Sequence, residues 1–392
     1  MINATTSFEA IAIDKTEIPQ DKLDIENKIR SNLFAWNGQF SPQFIETLLE
    51  YYASENEIVI DPFAGSGTTL CEAARKNLAA YGMELNASAY YMAKTYELAN
   101  KSYDERIRLI ETIDSIISTI SGTDDILPVI TDSIQRNGQS EVSNLLSTLV
   151  VLIDLFNNDL SMTLLQKKWD ALKRIALEIP FSSEPINMNM GDARQLACED
   201  SSASLLITSP PYINVFNYHQ KYRRSVEALG YDVLATAKSE FGSNRKYRGN
   251  RLFTVVQYCI DMALSIKEAI RVCKEDSRMI YVVGRESKVL GYSFCNSQLI
   301  YEIATQIFHL PLLLRQERVF KNRFGMLIYE DILHFGNSKD EENLADEIIV
   351  SSARSIGVNI LQQKAIEYPD ASNVAFIYEA IEKASRINKS EV

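Results

Sequence analysis

Histidine is scarce in this 392-residue chain, with three in all, and its five cysteines, Cys71, Cys198, Cys259, Cys273 and Cys295, stand singly. No two have the spacing of a zinc or redox pair, so no metal site and no disulfide framework is expected. Free thiols in a reducing compartment are the plain reading. Long apolar runs are missing too: the most apolar stretch, 145–156 (LLSTLVVLIDLF), is too short to span a bilayer and carries Asp154. The opening MINATTSFEAIAID lacks the basic start and apolar stretch of a signal peptide. A soluble, cytoplasmic protein without membrane contact is expected. Positive charge is also short, with 40 Lys+Arg against 52 Asp+Glu, a net charge of −12. That argues against a surface basic all over, but it allows a local basic face on an acidic body.

What is present is an ordinary globular composition, 46% hydrophobic and 23% charged, and a chain long enough to bury a full core. Residues 1–30 are polar without clear periodicity and read as a loose arm or a peripheral helix. After Ser41, a candidate N-cap, the stretch PQFIETLLEYYA places Phe44, Ile45, Leu48, Leu49 and Tyr52 at helical spacing. Then EIVIDPFAGSGTTLCEAARKN gives a short strand, a glycine-rich turn and a helix, and LAAYGMEL gives a second strand. This unit opens a doubly wound parallel sheet.

Between 101 and 185 the pattern changes. Ile107, Ile110, Ile113, Ile117 and Ile120 recur at helical spacing, as do Leu145, Leu149, Leu152 and Phe156, then Leu165, Trp169, Leu172 and Ile175. This is a helical insertion with GTDDILP and NGQSE as its turns, and its apolar stripes are packing faces. Strand patterns resume with PINMNMGDARQL and SLLITSPPY and, after a long polar loop, RMIYVVGRES. LLLRQERVF and LIYEDILHF form a late antiparallel pair. The expected division is thus an N-terminal arm (1–30), a catalytic domain (31–100 and 186–335), the insertion (101–185) and an acidic helical tail (336–392).

Two motifs carry chemistry. Asp61-Pro62-Phe63-Ala64-Gly65-Ser66-Gly67-Thr68-Thr69 lies between a strand and a helix, where glycines let a ligand approach backbone N–H donors at a helix start. It lacks the GK[ST] ending of a Walker loop and the third glycine of a dinucleotide turn. Glu84 follows Gly67 by 17 residues, where a carboxylate holds ribose hydroxyls. Asp192, after the next apolar strand, can accept from an adenine amino group. A nucleoside cofactor is the reading of this set. The second motif, Thr208-Ser209-Pro210-Pro211-Tyr212, ends an apolar strand, where open parallel sheets bind ligands. Two prolines make a stiff turn whose carbonyls point one way, Ser209 adds an acceptor, and Tyr212 adds a flat face. Such a loop suits a planar group bearing an amine.

At DPFAGSGTT, GMELN and TSPPY the sequence resembles the amino-group DNA methyltransferases, which use S-adenosylmethionine. NGQFSP, with Phe40 and Pro42, is similar to the segment that covers the cofactor in that family. The resemblance spans about 40–100 and 186–335 and implies an α/β, Rossmann-like methyltransferase fold: a mostly parallel seven-stranded sheet with a late antiparallel strand pair, plus the helical insertion. It implies that Asp61, Gly65 and Gly67 surround the methionine part, Glu84 the ribose and Asp192 the adenine. Pro62, Phe63, Ala64, Ser66, Thr68, Thr69, Leu85, Ala193 and Thr208 are expected in the same cofactor site. Ser209, Pro210, Pro211 and Tyr212 would form the catalytic loop.

In that chemistry an exocyclic amine attacks the sulfonium methyl in line. None of the ten prolines precedes a cysteine, so the Pro-Cys motif of cytosine C5 methylation is absent. A base within a duplex is out of reach, so flipping is expected, with Tyr212 stacked on the base and Ser209 and the Pro210 carbonyl accepting from its amine. Ser ahead of PPY favours cytosine N4, with adenine N6 as the alternative. RNA base methylation and a non-catalytic subunit of the same fold are the remaining rivals. A cognate restriction endonuclease is the protein partner such an enzyme implies.

Duplex DNA as partner finds its support in 213–256, where Lys221, Arg223, Arg224, Lys238, Arg245, Lys246, Arg248 and Arg251 face three acids, a local charge of +5. Lys221, Arg223, Arg224, Arg245, Lys246, Arg248 and Arg251 are the expected phosphate contacts. Asn214, Asn217 and His219 are candidates for base reading or pocket lining. A later cluster of Arg315, Arg318, Lys321 and Arg323 is expected to flank the same face.

Overall fold

The computed structural model describes residues 7–213, 220–242, 247, 249–321, 325–339 and 343–391. Nine strands form in chain order: β1 (Ile58–Asp61), β2 (Ala79–Glu84), β3 (Ile186–Met190), β4 (Ala203–Thr208), β5 (Cys273–Gly284), β6 (Glu286–Val289), β7 (Tyr292–Cys295), β8 (Leu312–Lys321) and β9 (Leu327–Gly336). Seven of them make one sheet in the order β3-β2-β1-β4-β5-β9-β8, and β6 and β7 make a separate hairpin. Pairings from β3 through β5 are parallel, whereas β9 runs antiparallel to both β5 and β8. The expected α/β, Rossmann-like methyltransferase sheet with its late antiparallel pair is therefore present.

This order reverses direction between β1 and β4. A crevice opens beyond the carboxyl ends of two such strands because their crossover helices leave on opposite sides. Asp61 ends β1 and Thr208 ends β4, so both motifs meet at that crevice. The central strands are apolar on both faces because helices cover both: Val59, Leu205, Leu206, Ile207, Ile280 and Val282 are buried to 2% exposure or less.

Three segments differ from the sequence reading. The stretch read as a long polar loop before β5 contains the helix Phe253–Val272, nearly all of it buried. Its FTVVQYCIDMALSIKEAIRV sequence is apolar almost all round, so it carries no amphipathic stripe, and the basic run before it masks its start. Gly357 in the helix Asp346–Glu367 packs on it so closely that a Cβ would lie 2.9 Å from the Val256 Cα. The hairpin β6–β7 turns through Leu290 and Gly291, both at positive φ, a turn with little outward signal. Residues 7–30 cover the β8 edge: Phe8, Ile11, Ile18 and Leu23 are buried, the Asp14 amide donates to the Arg315 carbonyl, and the Val319 amide donates to Asp24 Oδ1. An uncovered edge strand would leave such amides unpaired.

Within 101–185 stand the helices Tyr103–Ser118, Ile126–Asn137, Glu141–Ile153 and Met162–Glu178. Ser102, Ser140 and Ser161 cap three of them, and Ser102 with Glu105 forms a reciprocal capping box. The isoleucine and leucine stripes pack inward around Trp169, whose indole N–H donates to Asp114. Thr148 donates to the Tyr91 carbonyl, which joins this layer to the helix Ala87–Lys94 behind the glycine-rich turn.

Candidate functional site

Beyond the ends of β1, β2 and β4 lies a cavity whose empty space, open solvent included, is about 890 Å³. The glycine-rich turn forms its floor through Pro62, Phe63, Ala64, Gly65 and Thr68. Glu84 and Leu85 come from the end of β2, Asp192 and Ala193 from the end of β3, and Ser209 and Pro211 from the end of β4. Phe40 lies on the cover side. Residues from four separated sequence positions thus converge on one space.

The turn has its shape because two glycines take conformations that a side chain resists. Gly65 has φ +53° and its missing Cβ would face Trp36, while Gly67 has φ +86° and would place a Cβ 2.9 Å from the Ala93 Cα. Gly67 therefore belongs to the packing of the turn against the helix behind it, not to the cavity wall. Gly67→Ala should lower stability by more than about 2 kcal/mol, since strained φ and backbone overlap add. A thermal melt within one degree of the parent would contradict this.

Glu84 is held from two sides: Oε2 accepts from the Gly65 amide (2.9 Å) and Oε1 from the Asn86 amide (2.7 Å). A carboxylate has about four acceptor sites, so two remain for hydroxyls of a ligand. Burial pushes the Glu84 carboxyl up to about 7, against the opposing pull of these two amides.

Asp61 has a different place from the one expected. It is 1% exposed and lies beneath the cavity. Its Oδ1 accepts from the Thr208 hydroxyl (2.6 Å) and the Phe63 amide (3.1 Å), and its Oδ2 from the Thr69 hydroxyl (2.7 Å). The carboxylate therefore bolts the end of β4 to the glycine-rich turn, and Thr69 and Thr208 serve that joint. Burial pushes the Asp61 carboxyl up to about 6. Ser66 points to the cover instead, donating to Gln39 Oε1, and Thr68 donates to Asn32 Oδ1. Pro42 is buried at the start of the helix Pro42–Tyr52.

In the Pro-Pro loop, Ser209 and Pro211 face the cavity. Pro210 is buried between them. Tyr212 is half-buried with its ring packed against Gly284, where a Cβ would lie 2.5 Å from the ring's Cε2. Its hydroxyl donates to Glu330 Oε1 (3.2 Å), and Glu330 is itself paired with Arg318 (2.6 Å).

Sequence reasoning missed part of the lining. Trp36, Asn37, Gly38 and Gln39 extend the cover, and Glu240 and Phe241 close the far side. Asn37, Gly38 and Gln39 belong to the NGQFSP segment read as the cover, where only Phe40 and Pro42 were singled out, so this signal was within reach. Glu240 and Phe241 carried none, because they reach the site only through tertiary packing, Phe241 edge-on to Phe63.

The basic residues divide. Lys221 bonds the Ala35 carbonyl and lies 5.0 Å over the Trp36 ring and 5.3 Å over Tyr222, beside the cavity. Arg223 pairs with Glu227, Arg224 lies over Phe156, and Arg251 is exposed. Arg245, Lys246 and Arg248 lie outside the described residues, as do Asn214, Asn217, His219 and Arg323. The late cluster is corrected: Arg315 and Arg318 are buried and paired with Asp331 and Glu330. Three positions apart on β8, they face opposite sides of the sheet, and each is covered there, Arg315 by Phe8 and Arg318 by Phe44, so these two are structural ion pairs rather than phosphate contacts.

No curated protein sequence matches this chain. Among solved structures, a protein described as a SAM-dependent methyltransferase from Methanosarcina mazei is similar at 11% identity and TM-score 0.35, covering 74% of this chain and 97% of its own. A protein from Pyrococcus horikoshii gives 10% and 0.35, covering 79% and 94%. An rRNA methyltransferase from Streptomyces viridochromogenes gives 10% and 0.32, covering 89% and 98%. The fold assignment rests on the strand order above rather than on these distant likenesses. The sequence comparison is local and falls on the site itself: residues 14–95, which carry the cover, the glycine-rich turn and Glu84, match the model of the N6/N4 DNA methylase family.

Proposed function

We propose that this chain transfers a methyl group from S-adenosylmethionine to the exocyclic amine of a flipped DNA base, with cytosine N4 as the target atom. The observation that carries the reading is the shared cavity: Ser209 and Pro211 of the Pro-Pro loop line the same space as Gly65 and Glu84. A nucleoside cofactor fits the donor set. Glu84 keeps two acceptor sites for ribose hydroxyls, Gly65 offers an approach without a side chain, and Asp192 borders the same space. When bound, S-adenosylmethionine supplies an electrophilic methyl on a sulfonium.

The chain's own residues then do the positioning. Ser209 and the Pro210 carbonyl would hold an amine nitrogen in line with the methyl that the bound cofactor would supply, accepting from its N–H bonds, and the proton lost from the nitrogen would pass to solvent. Acceptors at the amine stabilise the positive charge that develops on it. The Asp61 joint keeps the Pro-Pro loop in register with the cofactor turn, and registers of this kind matter because a 1 Å misplacement costs about 100-fold in rate. Preference for cytosine N4 rests on Ser209 ahead of Pro-Pro-Tyr, and DNA as acceptor rests on the family match and on the basic segment around Lys221 and Arg251.

Methyl transfer to duplex DNA and to total tRNA, measured side by side with labelled cofactor, tests the substrate class. Labelling of DNA well above tRNA is expected. The reverse would move the assignment to RNA.

A further inference from the structure

The tail beyond β9 has no place in the proposed chemistry, yet one end of it lies behind the cavity. Asp192 at the cavity wall is clamped by Arg194: Oδ1 accepts from the Arg194 amide (2.8 Å) and Nε (2.9 Å), and Oδ2 accepts from Nη2 (2.6 Å). With two acceptor sites on each oxygen, three are taken and one on Oδ2 remains. Arg194 is fixed in turn. Its Nη1 donates to Asp261 Oδ1 (2.6 Å) and to the Ser390 carbonyl (3.0 Å), and its guanidinium lies 5.1 Å over the Phe241 ring.

Ser390 completes the arrangement. Its amide donates to Asp261 Oδ1 (2.8 Å), its hydroxyl donates to Asp261 Oδ2, and Gln257 Nε2 donates to that hydroxyl (2.7 Å). Asp261 and Ser390 are 0% and 1% exposed. A buried ionic cluster is a poor source of net stability but a strong source of defined geometry. Only the planar fork of arginine can hold a carboxylate edge-on while a second carboxylate holds the arginine.

We propose that Arg194, backed by Asp261 and Ser390, is the positioning residue that aims the one remaining acceptor site of Asp192 into the cavity, so that the C-terminal segment sets the preference for an adenine amino group. The inference rests on the cofactor reading above. A donor at that position, as in adenine, is accepted; a carbonyl oxygen there, as in hypoxanthine, meets a carboxylate lone pair and is refused.

The test compares binding of S-adenosylhomocysteine and its hypoxanthine counterpart by calorimetry in the full chain. The parent protein should prefer the adenine ligand by tenfold or more. Arg194→Lys should shrink the preference to within about threefold, mainly through loss of adenine affinity, with the hypoxanthine ligand nearly unchanged. Ser390→Ala, which keeps the backbone contacts, should reduce the preference part of the way, and it carries the test should Arg194→Lys fail to fold. If both variants weaken the two ligands equally and keep the parent ratio, the cluster is a structural brace and the proposal is overturned. A parent chain that binds neither ligand overturns the cofactor reading instead.

Discussion

Replacing Gly284 with Ala should lower the methyl-transfer rate by about 100-fold while leaving cofactor affinity within twofold. The new Cβ would stand 2.5 Å from Cε2 of Tyr212 and 2.8 Å from Cζ, so the ring must leave its seat. Gly284 ends β5, and the backbone there is held by the pairing of β5 with β9, which leaves the side chain as the part that gives. A ring displaced by an ångström or more loses alignment of the stacked base with the methyl donor, and alignment losses of that size cost about two orders of magnitude. Tyr212→Ala should fall at least as far. The split between rate and cofactor affinity is the informative part, because Gly284 does not line the cavity. A normal turnover number in Gly284→Ala would remove Tyr212 from the account of base positioning.

Glu84→Gln should weaken cofactor binding between about tenfold and a hundredfold, the worth of hydrogen bonds to a charged acceptor. The amide keeps one acceptor oxygen, so it cannot serve both the Gly65 and Asn86 amides and also take ribose hydroxyls. The pH dependence follows from the same group. In the ligand-free protein burial holds the carboxyl near 7, and ribose donors favour its charged form. Affinity should therefore fall as pH drops below about 7, and Glu84→Gln should abolish that slope. Stability of the ligand-free protein runs the other way. The folded state binds this proton more tightly than the unfolded chain, whose ordinary value is 4.5, so the Glu84 contribution is fully present below that value and is lost as pH rises toward 7. Calorimetric titrations at pH 6 and pH 8 check the first statement, and melts of parent and variant from pH 4.5 to pH 8 check the second. A flat affinity profile in the parent would contradict the first, and a stability difference between parent and variant that does not change with pH would contradict the second.

The features legible in the sequence are those whose chemistry is local. IVIDPFAGSGTT announces strand, turn and helix within a dozen residues, and SLLITSPPY announces a strand and a rigid loop, because periodicity and proline or glycine punctuation act over short distances. Glu84 was found by its spacing from that turn and Asp192 by its place after the next apolar strand, and both line the cavity. The Asp61 joint was not legible: its partner Thr208 is 147 positions away, and a carboxylate beneath a turn has the same sequence signature as one above it. The pairing of Arg315 with Asp331 and of Arg318 with Glu330 joins neighbouring strands, so a run that reads as a basic patch is neutralised from the side. The helix Phe253–Val272 was hidden because burial on every side erases the period that marks an amphipathic helix. Ser390 shows the same limit at its strongest, since its role depends on Asp261 and Arg194 meeting it from two other parts of the chain.

These contacts also change the meaning of the net charge of −12. Some of the acid is engaged inside the protein: Asp331, Glu330, Asp192 and Asp261 each hold an arginine there. Lys221 lies beside the cavity over the Trp36 ring and Arg251 is exposed, while Arg245, Lys246 and Arg248 lie outside the described residues. On the proposed reading, DNA binding that rests on the basic residues of 213–256 should weaken steeply as salt rises.

The central claim is transfer to an exocyclic amine, and nucleoside mass spectrometry of duplex DNA incubated with the protein and methyl-labelled S-adenosylmethionine tests it most directly. The account predicts label in N4-methylcytosine. Label in N6-methyladenine alone would keep the amine chemistry and overturn the choice of base, whereas label in 5-methylcytosine, or none in DNA at all, would contradict the claim itself.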